Sequence, residues 1–200
     1  MTKTVDFIFD FASPNGYLVH RVLPGIAERT GATMNYIPCL LGGIFKSTGN
    51  QAPMLAFANI KNKLAYDMLE TRRFIARHKL EKFKLNPNFP VNTLMMMRAA
   101  IHAQNEGFLT DYIEVGSRLM WEDGVKMDDP EQFVSAFTDA GLDGKALLEA
   151  TADPDVKAKL AENTANAVER GAFGIPTFFV GEEIFYGKER LGQLEHYLKD

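Results

Sequence analysis

The sequence predicts an α/β fold in which a βαβ unit and a ββα unit flank a long helical block. Three observations predict it. Residues 5–11 alternate, with Val5, Phe7, Phe9 and Phe11 on one side and Asp6, Ile8 and Asp10 on the other. A period of two marks a strand with one face more buried. Strand character then lapses after Cys39 and returns only at Pro176–Val180 (PTFFV), while apolar residues in between recur at helical spacing.

Taken in order, Ser13-Pro14 suits a helix start, with Ser as N-cap and Pro at the first helical position. Tyr17, Leu18, Val22, Leu23 and Ile26 form an apolar stripe. Pro24 inside it predicts a kink or a break, because proline lacks the amide hydrogen and crowds the preceding turn. Thr30-Gly31 ends the segment, and Thr33–Cys39 (TMNYIPC) reads as a second strand, parallel to the first. The three glycines in Leu40–Asn50 (LLGGIFKSTGN) predict a loop. Helices are expected over 63–78, 93–106, 109–121, from Asp129-Pro130-Glu131 through Phe137, over 145–150 and over 154–170, with a break at LNPNFP, 85–90. Gly181-Glu182-Glu183 offers a tight turn into Ile184-Phe185-Tyr186, and Gly187 leads into a last helix, 188–198. A βαβ and a ββα unit around one sheet is the thioredoxin-like layout. Residues 1–42 and 170–200 are expected to form that domain, and 43–169 an inserted all-helical domain.

Composition removes several function classes. The net charge is −4, so no global basic field recruits nucleic acid. No apolar run reaches 18 residues, so no spanning helix or membrane partner is expected. Asp6 and Asp10 interrupt the N-terminal stretch, which argues against a signal peptide. Cys39 is the single cysteine, so an intramolecular disulfide and a dithiol cycle are excluded. One cysteine suits a reducing compartment, most simply the cytoplasm. Its place at the end of a strand suggests a buried, inert thiol. The four histidines lack ligand spacing, and no metal site is expected.

Two stretches carry chemistry. Dithiol enzymes of the thioredoxin type place Cys-x-x-Cys at a strand-to-helix junction; here the four residues are Ser13, Pro14, Asn15 and Gly16. Ser13 is either a helix cap alone or a cap whose hydroxyl also faces an anion at a helix N-terminus, where the dipole favours negative charge. No Gly-x-Ser-x-Gly elbow surrounds it. If functional, it therefore donates a hydrogen bond to an anion rather than attacking a substrate. In Gly174-Ile175-Pro176-Thr177, the proline opens an apolar strand, which suits a strand start. The Ile175–Pro176 bond is either an ordinary trans peptide or a cis one that turns the Ile175 backbone toward a ligand.

Six stretches in fixed order then bring a family into view: FDFASPNGYL near the start, LLGGIFKSTGNQAP at 40–53, KLAYDMLETRR at 63–73, FPVNTLMMMRA at 89–99, GAFGIPTFFV at 171–180 and FYGKERL at 185–191. The chain resembles the kappa-class glutathione transferases and the related 2-hydroxychromene-2-carboxylate isomerases, within the DsbA-like group of thioredoxin folds. The resemblance implies a glutathione-dependent isomerase acting on a small electrophilic or aromatic-derived substrate. A kappa-like transferase is the alternative, and a non-catalytic glutathione or peptide binder the second. It implies glutathione as cofactor, a homodimer, and a Ser13 hydroxyl that holds the glutathione sulfur as thiolate. It implies a cis Ile175–Pro176 whose Ile175 backbone pairs with the cysteinyl part, and Asn50 and Lys63 near the ligand, with Lys63 reaching the glycyl carboxylate. Pro14, Tyr17 and Phe45 are the candidates for a substrate pocket.

The sequence departs from the family pattern in the last turn. Family transferases tend to carry Ser-Asp or Gln-Asp there for the γ-glutamyl end, whereas this chain has Lys188-Glu189. Glu189 keeps a carboxylate for the α-ammonium. Lys188 removes a neutral donor and acceptor and brings like charge beside that ammonium.

Overall fold

The computed structural model describes residues 2–199. Strand β1 (Thr4–Phe9) leads through residues 10–13 into helix α1 (Pro14–Thr30), which is followed by β2 (Thr33–Pro38). Ser13 is the N-cap of α1, and its side chain accepts from the Gly16 amide. Helix α1 runs on through Pro24, which is exposed, so the expected break does not occur. It closes at Gly31, whose φ of 70° lets the chain turn back at low cost. Strands β1 and β2 pair in parallel, Thr4 with Thr33 through Phe9 with Pro38, as a βαβ connection requires.

The sequence expectation of a loop over Leu40–Asn50 is corrected. Residues Leu41–Thr48 form a helix, α2, and α3 (Pro53–Ala56) follows. Gly43 fits in α2 because this helix packs on α9, where a side chain at Gly43 would fall 3.0 Å from Thr164; a Cβ at Gly42 would meet nothing within 4 Å. Only Gly49, with φ 69°, acts as the terminator that the glycine content suggested.

The helices α4 (Lys63–His78), α5 (Leu94–Asn105), α6 (Leu109–Arg118), α7 (Pro130–Asp139), α8 (Gly144–Ala150) and α9 (Pro154–Glu169) follow. Helix α6 does not stop at Trp121 as its periodicity suggests; it passes into a π-helical turn, Leu119–Asp123. The chain returns through β3 (Thr177–Val180) and β4 (Glu183–Tyr186), a 3-10 turn (Lys188–Arg190) and α10 (Leu191–Lys199).

The four strands form one mixed sheet in the order β2-β1-β3-β4, with β3 antiparallel to both neighbours. This is a DsbA-like thioredoxin fold. The aromatic side of β1 lies against neighbours from both units: Phe7 stacks on Phe178 with centroids 5.1 Å apart and meets Tyr36 edge-on at the same distance. Such pairs contribute about 0.5–1.5 kcal/mol beyond area burial. The buried apolar cluster around them continues into Met96, Tyr112, Trp121, Phe133 and Phe137 of the helical block.

Candidate functional site

Ser13 is 4% exposed, and its hydroxyl makes two hydrogen bonds. It accepts from the Gly16 amide at 3.0 Å and donates to the Ile175 carbonyl oxygen at 3.0 Å. Pro14 has no amide hydrogen, and the Gly16 amide is taken, so the Asn15 amide is the first-turn donor left without a hydrogen bond among the described residues. Gly16 permits the close approach of α1 to Ile175. A Cβ there would sit 3.3 Å from the Asp10 carbonyl and 3.4 Å from the Ile175 side chain.

The peptide bonds Ile175–Pro176 and Phe89–Pro90 are both cis; the first matches what the resemblance implies, and the second had no sequence signal. Segment 173–176 is where the expected site residues meet. Asn50 Nδ2 donates to the Phe173 carbonyl at 2.7 Å, the Ser13 hydroxyl donates to Ile175, and the Gly187 amide donates to the Pro176 carbonyl at 2.9 Å. Three chain-distant segments thus grip four consecutive residues.

Asn50 and Phe45 line a cavity of about 490 Å3 with Phe57, Phe173 and Tyr186. Lys63 stands at one remove: its ammonium pairs with Asp67 and lies 4.8 Å from the centre of the Phe57 ring. On the other side, Lys188 is 6% exposed, and its ammonium is 2.6 Å from Glu189, whose side chain is half exposed. The buried lysine is therefore already neutralised from within.

Pro14 is half-buried at the head of α1. Tyr17 packs inward from α1. It is 3% exposed, stacks on Phe83, and donates its hydroxyl to Glu122 at 2.9 Å. Burial pushes its pKa up to about 12, so it stays a neutral phenol. Cys39 is fully buried, with burial pushing its thiol up to about 12, in line with an inert role.

Sequence reasoning missed the supports of the Ser13 loop. Asp10 is fully buried, and its carboxylate accepts from the Ala12 amide at 2.9 Å, the Leu41 amide at 2.7 Å and the Thr93 hydroxyl at 2.7 Å. It ties the loop to the starts of α2 and α5. The Trp121 indole donates to the Phe11 carbonyl at 3.0 Å, and its neighbour Glu122 holds Tyr17 and Arg21. The π-turn thus anchors residues on both sides of Ser13. The available signal was an acid, Asp10, at the junction between an apolar strand pattern and the Ser-Pro helix start.

Comparison with known proteins agrees with the fold. Residues 4–199 match the DSBA-like thioredoxin domain. A 2-hydroxychromene-2-carboxylate isomerase of Sphingobium xenophagum is 31% identical over 202 residues, covering all of both chains. Human glutathione S-transferase kappa 1 is 26% identical over 216 residues, with 99% of this chain and 92% of that one covered. A solved 2-hydroxychromene-2-carboxylate isomerase superposes with a TM-score of 0.81 at 27% identity, over 98% of this chain and 94% of that one.

Proposed function

We propose a function from one premise: the chain belongs to the DSBA-like thioredoxin domain family. Its relatives include isomerases and glutathione transferases. The reading is a glutathione-dependent isomerase similar to the 2-hydroxychromene-2-carboxylate enzymes. Glutathione thiolate adds to a conjugated carbon of an aromatic-derived substrate. The former double bond becomes single and rotates, and the thiolate leaves as the double bond re-forms. One carbon–sulfur bond forms and the same bond breaks, so glutathione is not consumed.

The convergence of Ser13, Asn50 and Gly187 on residues 173–176 carries this reading. The cysteinyl backbone of glutathione would lie along Ile175 as an added strand, the mode by which extended peptides bind sheet edges. The Ser13 hydroxyl would then turn its proton from the Ile175 carbonyl to the sulfur. A donor to the charged form and the positive end of α1, with the Asn15 amide, both lower a thiol pKa. Each unit lowered is about 1.4 kcal/mol in favour of the thiolate. Lys63 would swing from Asp67 to the glycyl carboxylate, and Lys188 and Glu189 would meet the γ-glutamyl end.

The test is the pH titration of thiolate absorbance for bound glutathione in wild type and Ser13→Ala. A higher thiol pKa in the variant is expected, and equal values in both would remove Ser13 from the chemistry. The kappa-class relative supports the alternative of transfer. Recovery of free glutathione with an isomerised product supports isomerisation, whereas a stable thioether supports transfer. The closed Lys188–Glu189 pair is what favours a non-catalytic binder; bound glutathione with no turnover of either substrate type would establish it.

A further inference from the structure

The cavity beside the last turn is separate from the one at Asn50. It measures about 530 Å3 and lies between α1, α4 and the 3-10 turn with the start of α10. Its apolar surface comes from Val22, Ile26 and Leu191, and the Phe74 ring lies 4.4 Å from the ring of His78 on its α4 side. Val22 and Ile26 are nine and thirteen residues beyond Ser13 on α1, roughly 13–20 Å along the helix. A ligand seated on Val22 and Ile26 therefore lies more than two helical turns from Ser13.

The charges lining this cleft do not cancel. Arg29 binds Glu195 through two nitrogens at 2.8 and 2.9 Å. Arg73 pairs with Glu70, and Lys188 pairs with Glu189. These three pairs consume every acid in the cleft wall. Arg77, on the same wall, has no hydrogen-bonded or ion-paired partner among the described residues. Burial, followed by the fields of Arg77 and Arg29, holds His78 below its ordinary pKa, which favours its neutral form. What remains is one uncompensated cation in a cleft whose wall also carries the apolar patch of Val22, Ile26, Leu191 and Phe74. Cavities of this size suit small organic ligands, and a guanidinium is built to meet a carboxylate with two parallel hydrogen bonds.

We propose that the cleft between α1, α4 and α10 is a second ligand site, for an aromatic monocarboxylate whose ring packs on Phe74 and the apolar floor and whose charge is met by Arg77. It does not require glutathione at Ser13, although it adjoins the residues proposed for the γ-glutamyl end. The two sites share only the Lys188–Glu189 turn, which lines this cleft as well.

Calorimetry with biphenyl-4-carboxylate on the full chain tests it. Saturable one-to-one binding is expected, weakened at least tenfold for the neutral biphenyl-4-carboxamide and at least tenfold in Arg77→Gln. Arg77 is exposed, so that variant should fold. A second variant, Gly192→Leu, fills the hollow instead: nothing lies within 4 Å of a Cβ at Gly192, and binding should be lost while the fold is kept. Binding in Ser13→Ala should equal wild type. Absence of saturable binding, equal affinity in Arg77→Gln and wild type, or loss of binding in Ser13→Ala would each overturn the proposal. Only the last outcome would place the ligand at Ser13, and none of them bears on whether glutathione binds there.

Discussion

The hydroxyl of Ser13 donates to the carbonyl oxygen of Ile175 at 3.0 Å, across 162 residues of sequence. One side chain thus caps α1, through the Gly16 amide, and locks that helix to the segment before β3. Removal of the oxygen should be felt as stability and as chemistry.

For Ser13→Ala, loss of an N-cap costs about 0.5–2 kcal/mol. The Ile175 carbonyl, buried at 5% residue exposure, loses its donor as well. A lower melting temperature is expected, by about 2–4 °C per kcal/mol for a chain of this size. Emission of Trp121, the single tryptophan, reports it. An unchanged melting temperature would mean that the cap and the cross-link contribute nothing.

In Lys188→Ser, the internal partner of Glu189 disappears and a neutral donor returns to the last turn. If the γ-glutamyl ammonium binds Glu189, glutathione affinity should rise. Glu189 is itself half exposed, so its pair with the ammonium is screened and the gain is about 0.2–1 kcal/mol, or roughly 1.5–5-fold. Isothermal titration measures it, and weaker binding in the variant would show that Lys188 serves the ligand rather than opposing it.

Asp10→Asn keeps the shape and removes the charge. An amide can still accept on one oxygen, but its NH2 then faces one of the three donors, Ala12, Leu41 or Thr93. A buried donor left unmatched costs about 1–3 kcal/mol, so chemical denaturation should show a loss of that order. The pH dependence runs the other way. Burial raises the Asp10 pKa above 3.8, against the lowering by its three hydrogen bonds. Between 3.8 and the raised value the folded state holds more proton than the unfolded one. Stability from this group therefore falls as pH rises through that window. The fall should be absent from Asp10→Asn.

Glu114 provides the opposite slope. Its hydrogen bond to His20, at 3.1 Å, and its contacts with Arg21 lower its pKa from 4.5 to about 2. With the folded value depressed, its contribution is present above pH 4.5 and is lost as pH falls toward 2. The carboxylate is 54% exposed, so the effect is screened and small. Denaturation midpoints between pH 5 and 2 should be flatter for Glu114→Gln than for wild type.

Gly116→Ala probes the packing behind the site. A Cβ there would lie 2.8 Å from the ring of Phe11, which is 1% exposed. Overpacking of this kind costs about 1–3 kcal/mol, and a thermal melt should register it. A neutral result would mean that Phe11 can shift without loosening the Trp121 bond to its carbonyl.

The strand alternation at 5–11, the Ser-Pro helix start and the PTFFV return needed no tertiary information, because period and capping are local properties. They were enough to place Ser13 at the head of α1 and Pro176 at the entrance to β3. The helix over Leu41–Thr48 was hidden because one of its glycines, Gly43, answers to a neighbour, α9, rather than to a local preference. The polar partner of Tyr17 was not legible, because an apolar helical stripe does not say which of its members meets one; Glu122, 105 residues away, decides that. Only the folded chain could show that Asn50, Ser13 and Gly187 grip one short segment, or that Lys188 is buried and already paired. By itself the sequence determined the strands and the helices whose apolar periodicity is plain, since those follow from patterning along the chain. The tertiary structure decided which charges are satisfied and which, like Arg77, are left over, because pairing depends on distances that close only when remote segments meet.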